Sequence, residues 1–232
     1  MCMHHELSYR LEVPSLMLFA CLSAPTAGGA TAVSDSRDRA RRTTRRAGHA
    51  VRARRLDAYP QLQRRDRGDR SLRRSGPTDR AAVESYCRAN AIGFEWQPDG
   101  GLRTWQRRSA VVHHPVTGQR CWFNQIAFLN EWTIDPEVRE YLVDMYGADG
   151  LPFNTRFGNG DPIGADVVQL LNQVYEDNTV REPWQAGDLM LVDNIRTAHS
   201  REAYEGPREI LVGMADAGTP GRLRADRAVT AG

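Results

Sequence analysis

A mainly β domain with flanking helices is the fold class this sequence predicts, and three observations predict it. Short apolar runs recur between turns rich in Gly and Pro, as in "SLMLFACLS", "CWFNQIAFL" and "REILVGMAD". Two later segments carry apolar residues at helical spacing. Of the 232 residues, 41% are hydrophobic and 26% charged, ordinary values for a soluble globular chain with a real core.

Taken in order, "HHELSYRLEV" and "SLMLFACLS" read as strands with loops, followed by the turn "PTAGGAT". "TDRAAVESYCRAN" reads as a helix capped by Thr78. "AVVHHPVTGQRCWFNQIAFL" reads as two strands around the turn "PVTG", and "CWFNQ" as a core strand. "DPEVREYLVDMYG" is a helix with Pro in its first turn and Gly147 just past its end. "GADVVQLLNQVYEDN" is a second amphipathic helix. "PWQAGDLMLVDN" is a turn leading into a buried strand, and "REILVGMAD" is another strand. Residues 218–232 form a Gly-, Pro- and Arg-rich tail that is expected to fray.

Residues 36–76 differ in texture. All 31 basic residues are Arg, and 16 of them fall between Arg37 and Arg80 against 5 Asp. Elsewhere 15 Arg face 24 acids, so the positive character belongs to one segment. This segment has almost no aromatic residues and no apolar period, and it cannot bury enough surface to fold alone. The absence of Lys and abundance of Arg, Ala and Gly fit a GC-rich coding sequence read out of frame between two compensating frameshifts. A solvated, disordered insert and a phosphate-neutralising basic segment are the alternatives. Nucleic acid is not the partner expected.

Other functional classes are excluded more simply. No apolar stretch approaches the roughly 20 residues that span a bilayer. "VPSLMLFACLSAPTA" imitates a signal peptide, but Glu6 and Glu12 precede or flank it with only Arg10 to offset them. Cys2, Cys21, Cys87 and Cys121 are widely spaced with no C-x-x-C, as expected of reduced thiols in the cytoplasm.

Chemistry is suggested by the opening "MCMHHELSY". On a strand, residues i and i+2 face one side, so His4 and Glu6 can take neighbouring positions around one metal. His199 follows a strand and turn far downstream. Two His and one carboxylate form the facial triad of non-haem Fe(II) oxygenases. By itself H-x-E also occurs as surface decoration.

"MHHELSY", "GGAT" and "VDNIRTAHSREAYEGPREILVGMAD" together resemble the TauD/TfdA family of Fe(II)/2-oxoglutarate-dependent dioxygenases, above all its clavaminate synthase-like and SyrP-like members. The resemblance covers residues 1–35 and 77–216 and fails across 36–76. It implies a double-stranded β-helix (jelly-roll) core with helices outside, in a domain made of residues 1–35 and 77–217. It implies Fe(II) bound by His4, Glu6 and His199, and 2-oxoglutarate held by Thr31 and Arg208, with O2 as the oxidant. The far carboxylate of 2-oxoglutarate suits the planar two-donor fork of Arg better than Lys. The implied activity is hydroxylation of an unactivated C–H in an amino-acid-like substrate, free or carrier-bound, in a peptide natural-product pathway. Asn124 and Arg156 are substrate candidates. Arg201 is the rival to Arg208, placed in the turn and pointing outward. Asp193 and Asn194 are read as turn formers, and His113 and His114 as a strand end.

In the family's fold several strands and a helix precede the H-x-E strand. The chain therefore reads as the C-terminal part of a longer domain, its core incomplete, starting at an internal Met. An inactive remnant of such an enzyme is the competing reading.

Overall fold

The computed structural model describes residues 2–37, 57–64, 80–98, 100–147 and 150–219, with 57–64 given by their backbone. Most of the Arg-rich segment, Thr78 and the tail beyond residue 219 lie outside the described residues. So do the frameshift and nucleic-acid readings.

β1 (Val13–Ser23) carries the predicted run "SLMLFACLS". It lies between β12 (Leu189–Asp193) and β15 (Glu209–Gly218), antiparallel to both. β3 (Thr31–Asp35) lies between β11 (Thr179–Val180) and β13 (Thr197–Arg201) in a second antiparallel sheet. A short pair joins β2 (Ala27–Gly28) to β14 (Tyr204–Glu205). Period-2 alternation assigns the faces. Met17 and Phe19 of β1 and Val192 of β12 form a buried cluster that meets Val33 of β3. Ala32 and Ala198 point the other way and pack with Val168, Leu171 and Tyr175 of α3 (Ala165–Glu176). The layers are thus sheet, sheet and helix. Ser34 ties the second sheet to the end of α3, its hydroxyl directed at the carbonyls of Tyr175 and Asn178.

Both sequence-predicted helices beyond residue 130 form. α2 (Pro136–Tyr146) starts with Asp135 accepting from the backbone N–H groups of Glu137 and Val138, and Pro136 occupies the first turn. It ends at Gly147, whose φ of 74° suits a residue without Cβ. α1 (Arg80–Ala89) precedes a hairpin of β5 (Ile92–Trp96) and β6 (Leu102–Gln106) that the sequence reading left unassigned. β4 (Asp57–Arg64), inside the Arg-rich segment, pairs with β6, with β7 (Arg108–Ser109) and with β10 (Asn154–Arg156). The turn "PVTG" joins β8 (Val111–His113) to β9 (Arg120–Trp122) as expected.

The burial expected of "LMLVD" fails. β12 is not a buried strand: Leu189 is 71% and Leu191 68% exposed, and only Val192 is buried. The register explains the pattern. Leu191 lies opposite Leu18, and Leu189 opposite Ala20, which also faces Leu211. These residues form the outer, uncovered face of the first sheet. A contiguous aliphatic face of this kind binds apolar probes. Leu191→Lys should therefore lower the fluorescence of bound anilinonaphthalene sulfonate, while urea unfolding shifts by no more than about 0.5 kcal/mol. A large loss of stability would show that Leu191 is packed.

Candidate metal centre

His4 and His199 are 195 positions apart in sequence and directly opposite in space. The N–H of His4 donates to the His199 carbonyl at 3.0 Å, and the N–H of His199 returns a bond to the His4 carbonyl at 2.9 Å. This reciprocal antiparallel bridge extends the β3–β13 sheet by one residue. Directly paired residues share a face. His199 also pairs with Val33, so both imidazoles point into the space between the sheets. Their ring centroids lie 4.5 Å apart. Phe128 stacks on His4 at 4.8 Å and Phe19 meets His199 edge-on at 5.5 Å.

Glu6 does not reach this space as the second same-face residue of a strand. The chain leaves the bridge at once and turns through residues 6–9, with Leu7 at φ 53°. Asn194, fully buried, fixes that turn. Its Oδ1 accepts from the Glu6 N–H at 2.8 Å, and its Nδ2 donates to the Glu6 carbonyl at 3.0 Å and to the Pro14 carbonyl at 2.8 Å. The sequence reading gave Asn194 only a turn; the turn it shapes includes the carboxylate's own residue. His5, the middle residue of H-x-E, is fully buried against Phe123, with Nε2 2.7 Å from the Ser36 hydroxyl.

Nε2 of His4 and Nε2 of His199 each lie 3.7 Å from Oε2 of Glu6, and the three ligand atoms fall within 4.8 Å of one another. At 3.7 Å these are electrostatic contacts, too long for hydrogen bonds. Nδ1 of His4 lies 3.0 Å from the Cys2 carbonyl, which only accepts. In the neutral ring the proton therefore sits on Nδ1, and the Nε2 lone pair faces the carboxylate. Acceptors converging from three sides fit a divalent cation between them. Nδ1 of His199 is buried without a hydrogen-bond partner among the described residues. Burial, reinforced by His4, pushes the His199 imidazole down to about 4, so it stays neutral and able to ligate. His4, joined by His199, holds the Glu6 carboxyl below its ordinary range, against the opposing effect of burial.

A second cluster lies on the same inner face. Register pairs Thr31 with Arg201, two positions along from His199 and Val33. Thr31 is buried, and its hydroxyl accepts from Nη2 of Arg208 at 3.3 Å and Nε1 of Trp184 at 3.1 Å. Arg208 also donates from Nε to the Gly29 carbonyl at 2.9 Å. Gly29 sits at φ +71°, where a Cβ would press on Pro25 and Tyr204 and lie 3.2 Å from Cδ of Arg208. Gly29 of "GGAT" thus leaves room for the stem of Arg208. Arg208 makes no ion pair with a carboxylate among the described residues, and burial followed by the nearby Arg201 lowers its affinity for its proton.

The remaining candidates fall outside these clusters. Asn124 donates to the Ala110 carbonyl and accepts from the Ile126 N–H, so its amide orders a turn. Arg156 ends β10, with Nη1 donating to the Gly160 carbonyl. Asp193 does shape its turn, accepting from the N–H groups of Ile195 and Arg196. It also meets Nε2 of His114 at 2.8 Å, while Nδ1 of His114 accepts from Val116 and Thr117, a structural role. His113 ends β8, as read from sequence. Arg201 ends β13 instead of lying in the turn, and it is exposed. The sequence reading missed Trp184, Phe128 and the clasp by Asn194. A Trp beside a turn, whose indole N–H needs an acceptor, was the available signal for the first.

A two-layer β structure that brings two buried imidazoles and a partly exposed carboxylate around one point has the arrangement of a mononuclear metal centre. The family model described as "Taurine catabolism dioxygenase TauD, TfdA family" matches residues 1–215, and the chain belongs to that family. It is 33% identical over 215 residues to the dapdiamide synthesis protein DdaC of Enterobacter agglomerans, covering 92% of this chain and 64% of that one. It is 28% identical over 233 residues to a clavaminate synthase-like protein of Arabidopsis thaliana, covering 91% of this chain and 63% of that one. The chain therefore spans less than two thirds of the length of these curated relatives. Among solved structures it resembles a Burkholderia xenovorans protein provisionally described as an alpha-ketoglutarate-dependent 2,4-D dioxygenase. The TM-score is 0.53 at 17% identity, over 95% of this chain and 67% of that one. The fold is accordingly the jelly-roll core of this family with helices outside, as the sequence resemblance implied. No described helix is long and apolar enough to cross a membrane.

Two outcomes follow from this geometry. Asn194→Asp keeps shape and acceptor but replaces two donated hydrogen bonds with a carboxylate facing two carbonyls. It should destabilise the protein by about 2–5 kcal/mol in urea unfolding and weaken Mn(II) binding roughly tenfold to a hundredfold. Unchanged metal affinity would mean that Glu6 is held without the clasp. For the metal-free protein, the folded-state pKa of His199 lies below its unfolded value of 6.5. The unfolded chain then takes up the proton first as pH falls. Stability from this group is full above pH 6.5 and is lost by about pH 4, a total of about 3 kcal/mol. Glu6, also lowered, loses its contribution in the same direction at more acid pH. Urea midpoints measured from pH 7 to pH 4 should fall, and His199→Gln should flatten the slope between pH 6.5 and 4.

Proposed function

We propose that this chain is an Fe(II)/2-oxoglutarate-dependent dioxygenase that hydroxylates an unactivated C–H of an amino-acid-like substrate in peptide natural-product biosynthesis. The observation that carries this reading is the convergence of buried His4 and His199 with partly exposed Glu6, their ligand atoms within 4.8 Å of one another. Family membership and the likeness to a dapdiamide synthesis protein support it. Iron and 2-oxoglutarate, when bound, supply the oxidising power from O2 for the C–H bond. The chain's own residues hold, orient and shield. His4, Glu6 and His199 are the metal ligands. Thr31 and Arg208 take the far carboxylate, which would provide the anion that Arg208 lacks among the described residues. Phe19 and Phe128 wall the imidazoles from water. Arg156 is retained as the candidate for a substrate carboxylate. Asn124 is retained as the other substrate candidate, since the bonds to Ala110 and Ile126 use one donor and one acceptor position of its amide. The catalytic domain is assigned to residues 1–35 and 77–217, and β4 of the Arg-rich segment between them joins its sheet through β6, β7 and β10.

The test is anaerobic addition of Fe(II) and 2-oxoglutarate. A weak visible charge-transfer band should appear and vanish in His199→Ala. Arg208→Lys should weaken 2-oxoglutarate on the order of tenfold to a hundredfold, through loss of one aligned charge-assisted bond, with Fe(II) affinity little changed. Arg201→Lys should weaken 2-oxoglutarate less than Arg208→Lys, because the Arg201 side chain is exposed and Arg208 is the one bonded to Thr31. Absence of both metal and 2-oxoglutarate binding in the unmodified chain would leave the inactive remnant as the correct reading. A larger loss in Arg201→Lys than in Arg208→Lys would reverse the two assignments.

A further inference from the structure

We infer that Trp184 is a positioning residue for the cosubstrate, acting through Thr31 by fixing the direction of its hydroxyl proton. This rests on the reading that Thr31 and Arg208 hold a carboxylate.

A Thr hydroxyl has two acceptor lone pairs and one proton. The indole N–H only donates, so Trp184 obliges Thr31 to accept. Arg208 likewise only donates, so its Nη2 takes the second lone pair. Both acceptor positions of Thr31 are thereby filled by groups that cannot exchange roles with it. The proton must point elsewhere. Thr31 is buried, and among the described residues its proton meets no acceptor. A buried donor with no acceptor is costly, and an anion beside it removes that cost. Arg208 faces the same space. Its Nε and one Nη2 N–H are used, which leaves Nη1 and the other Nη2 hydrogen without a protein acceptor among the described residues. The hydroxyl proton and the unused guanidinium hydrogens therefore form one donor set, suited to a carboxylate.

Trp184 is well placed to enforce this. Its ring packs on Met17, Phe19 and Val192 between the sheets, so the direction of its N–H is set by the core. Thr31 is β-branched and opens a strand, and its χ1 is stiff. What stays free without the indole is the rotation of the O–H bond, and Trp184 removes that freedom before the ligand arrives. The same cluster touches the metal ligands through Phe19 and His199.

The experiment is a titration of 2-oxoglutarate into the full chain at saturating Mn(II), with Trp184→Phe made in both the native and Thr31→Val backgrounds. A third protein carries benzothienylalanine at position 184, which keeps the bicyclic shape and replaces N–H by sulfur. It retains the test should Trp184→Phe fold poorly. In the native background either replacement should weaken 2-oxoglutarate about three- to tenfold, the scale of one neutral hydrogen bond, with Mn(II) affinity unchanged. In the Thr31→Val background neither should cost anything further, because the group through which Trp184 acts is gone. Equal losses in both backgrounds would mean that Trp184 acts by packing, and would overturn the inference. So would an unchanged affinity with benzothienylalanine. Should Thr31→Val alone leave 2-oxoglutarate binding unchanged, the assignment of Thr31 under the proposed function falls, and this inference falls with it.

Discussion

The antiparallel bridge between His4 and His199 is the constraint on which the site depends. Two backbone hydrogen bonds, one in each direction, set the first residues of the chain beside the thirteenth strand. Because the pair is direct, both side chains take the same face, and the face is chosen by the β3–β13 register. A slip of one residue would turn His199 toward α3 and bring Ala198 or Ser200 to the inner side. The register is held from both sides of the sheet. Ala32 and Ala198 are small enough to let α3 pack closely, and Val33 meets the first sheet. The candidate metal centre is therefore positioned by ordinary sheet packing, with His4 and His199 placed as substituents on that frame.

Glu6 needs a separate device because it follows the bridge and lies in a turn. Asn194 supplies it by using a side-chain amide as a peptide group would be used, accepting from one backbone N–H and donating to two carbonyls. The next residues of that segment, through Ile195 and Arg196, are fixed by Asp193, and the strand of His199 begins immediately after. One short turn thus orients the Glu6 segment on one side and launches the strand of His199 on the other. The neutral His199 imidazole and the Glu6 carboxylate, with Nε2 of His4 turned toward them, leave a concentration of lone pairs that a cation satisfies.

Along the same inner face the electrostatics reverse. Thr31 and Arg208 present donors where the triad presents acceptors. A ligand with a metal-chelating end and an anionic far end matches that polarity. The core cluster of Met17, Phe19, Val192 and Trp184 lies between the two sheets and reaches both ends, touching His199 through Phe19 and Thr31 through Trp184. Its rigidity preorganises both sets of polar groups.

The local sequence by itself determined the elements whose signals are local. Asp135, Pro136 and Gly147 bound α2, the spacing of Val168, Leu171 and Tyr175 makes α3 amphipathic, and the alternation in "SLMLFACLS" makes β1. Residue types in the sequence singled out His4, Glu6, His199, Thr31 and Arg208, and the fold gathers the first three within 4.8 Å and joins the last two by a hydrogen bond. Tertiary structure decided what depends on distant partners. The exposure of β12 follows from lying in a sheet with one uncovered face, which no property of "LMLVD" encodes. Glu6 reaches the centre through a turn clasped from 188 residues away, where period-2 reasoning expected a strand. The amide of Asn124 is taken by Ala110 and Ile126, and the indole of Trp184 by Thr31, and both choices were made by the fold. Side-chain polar groups bond to whatever the folded chain brings within about 3 Å, and that neighbour is rarely close in sequence.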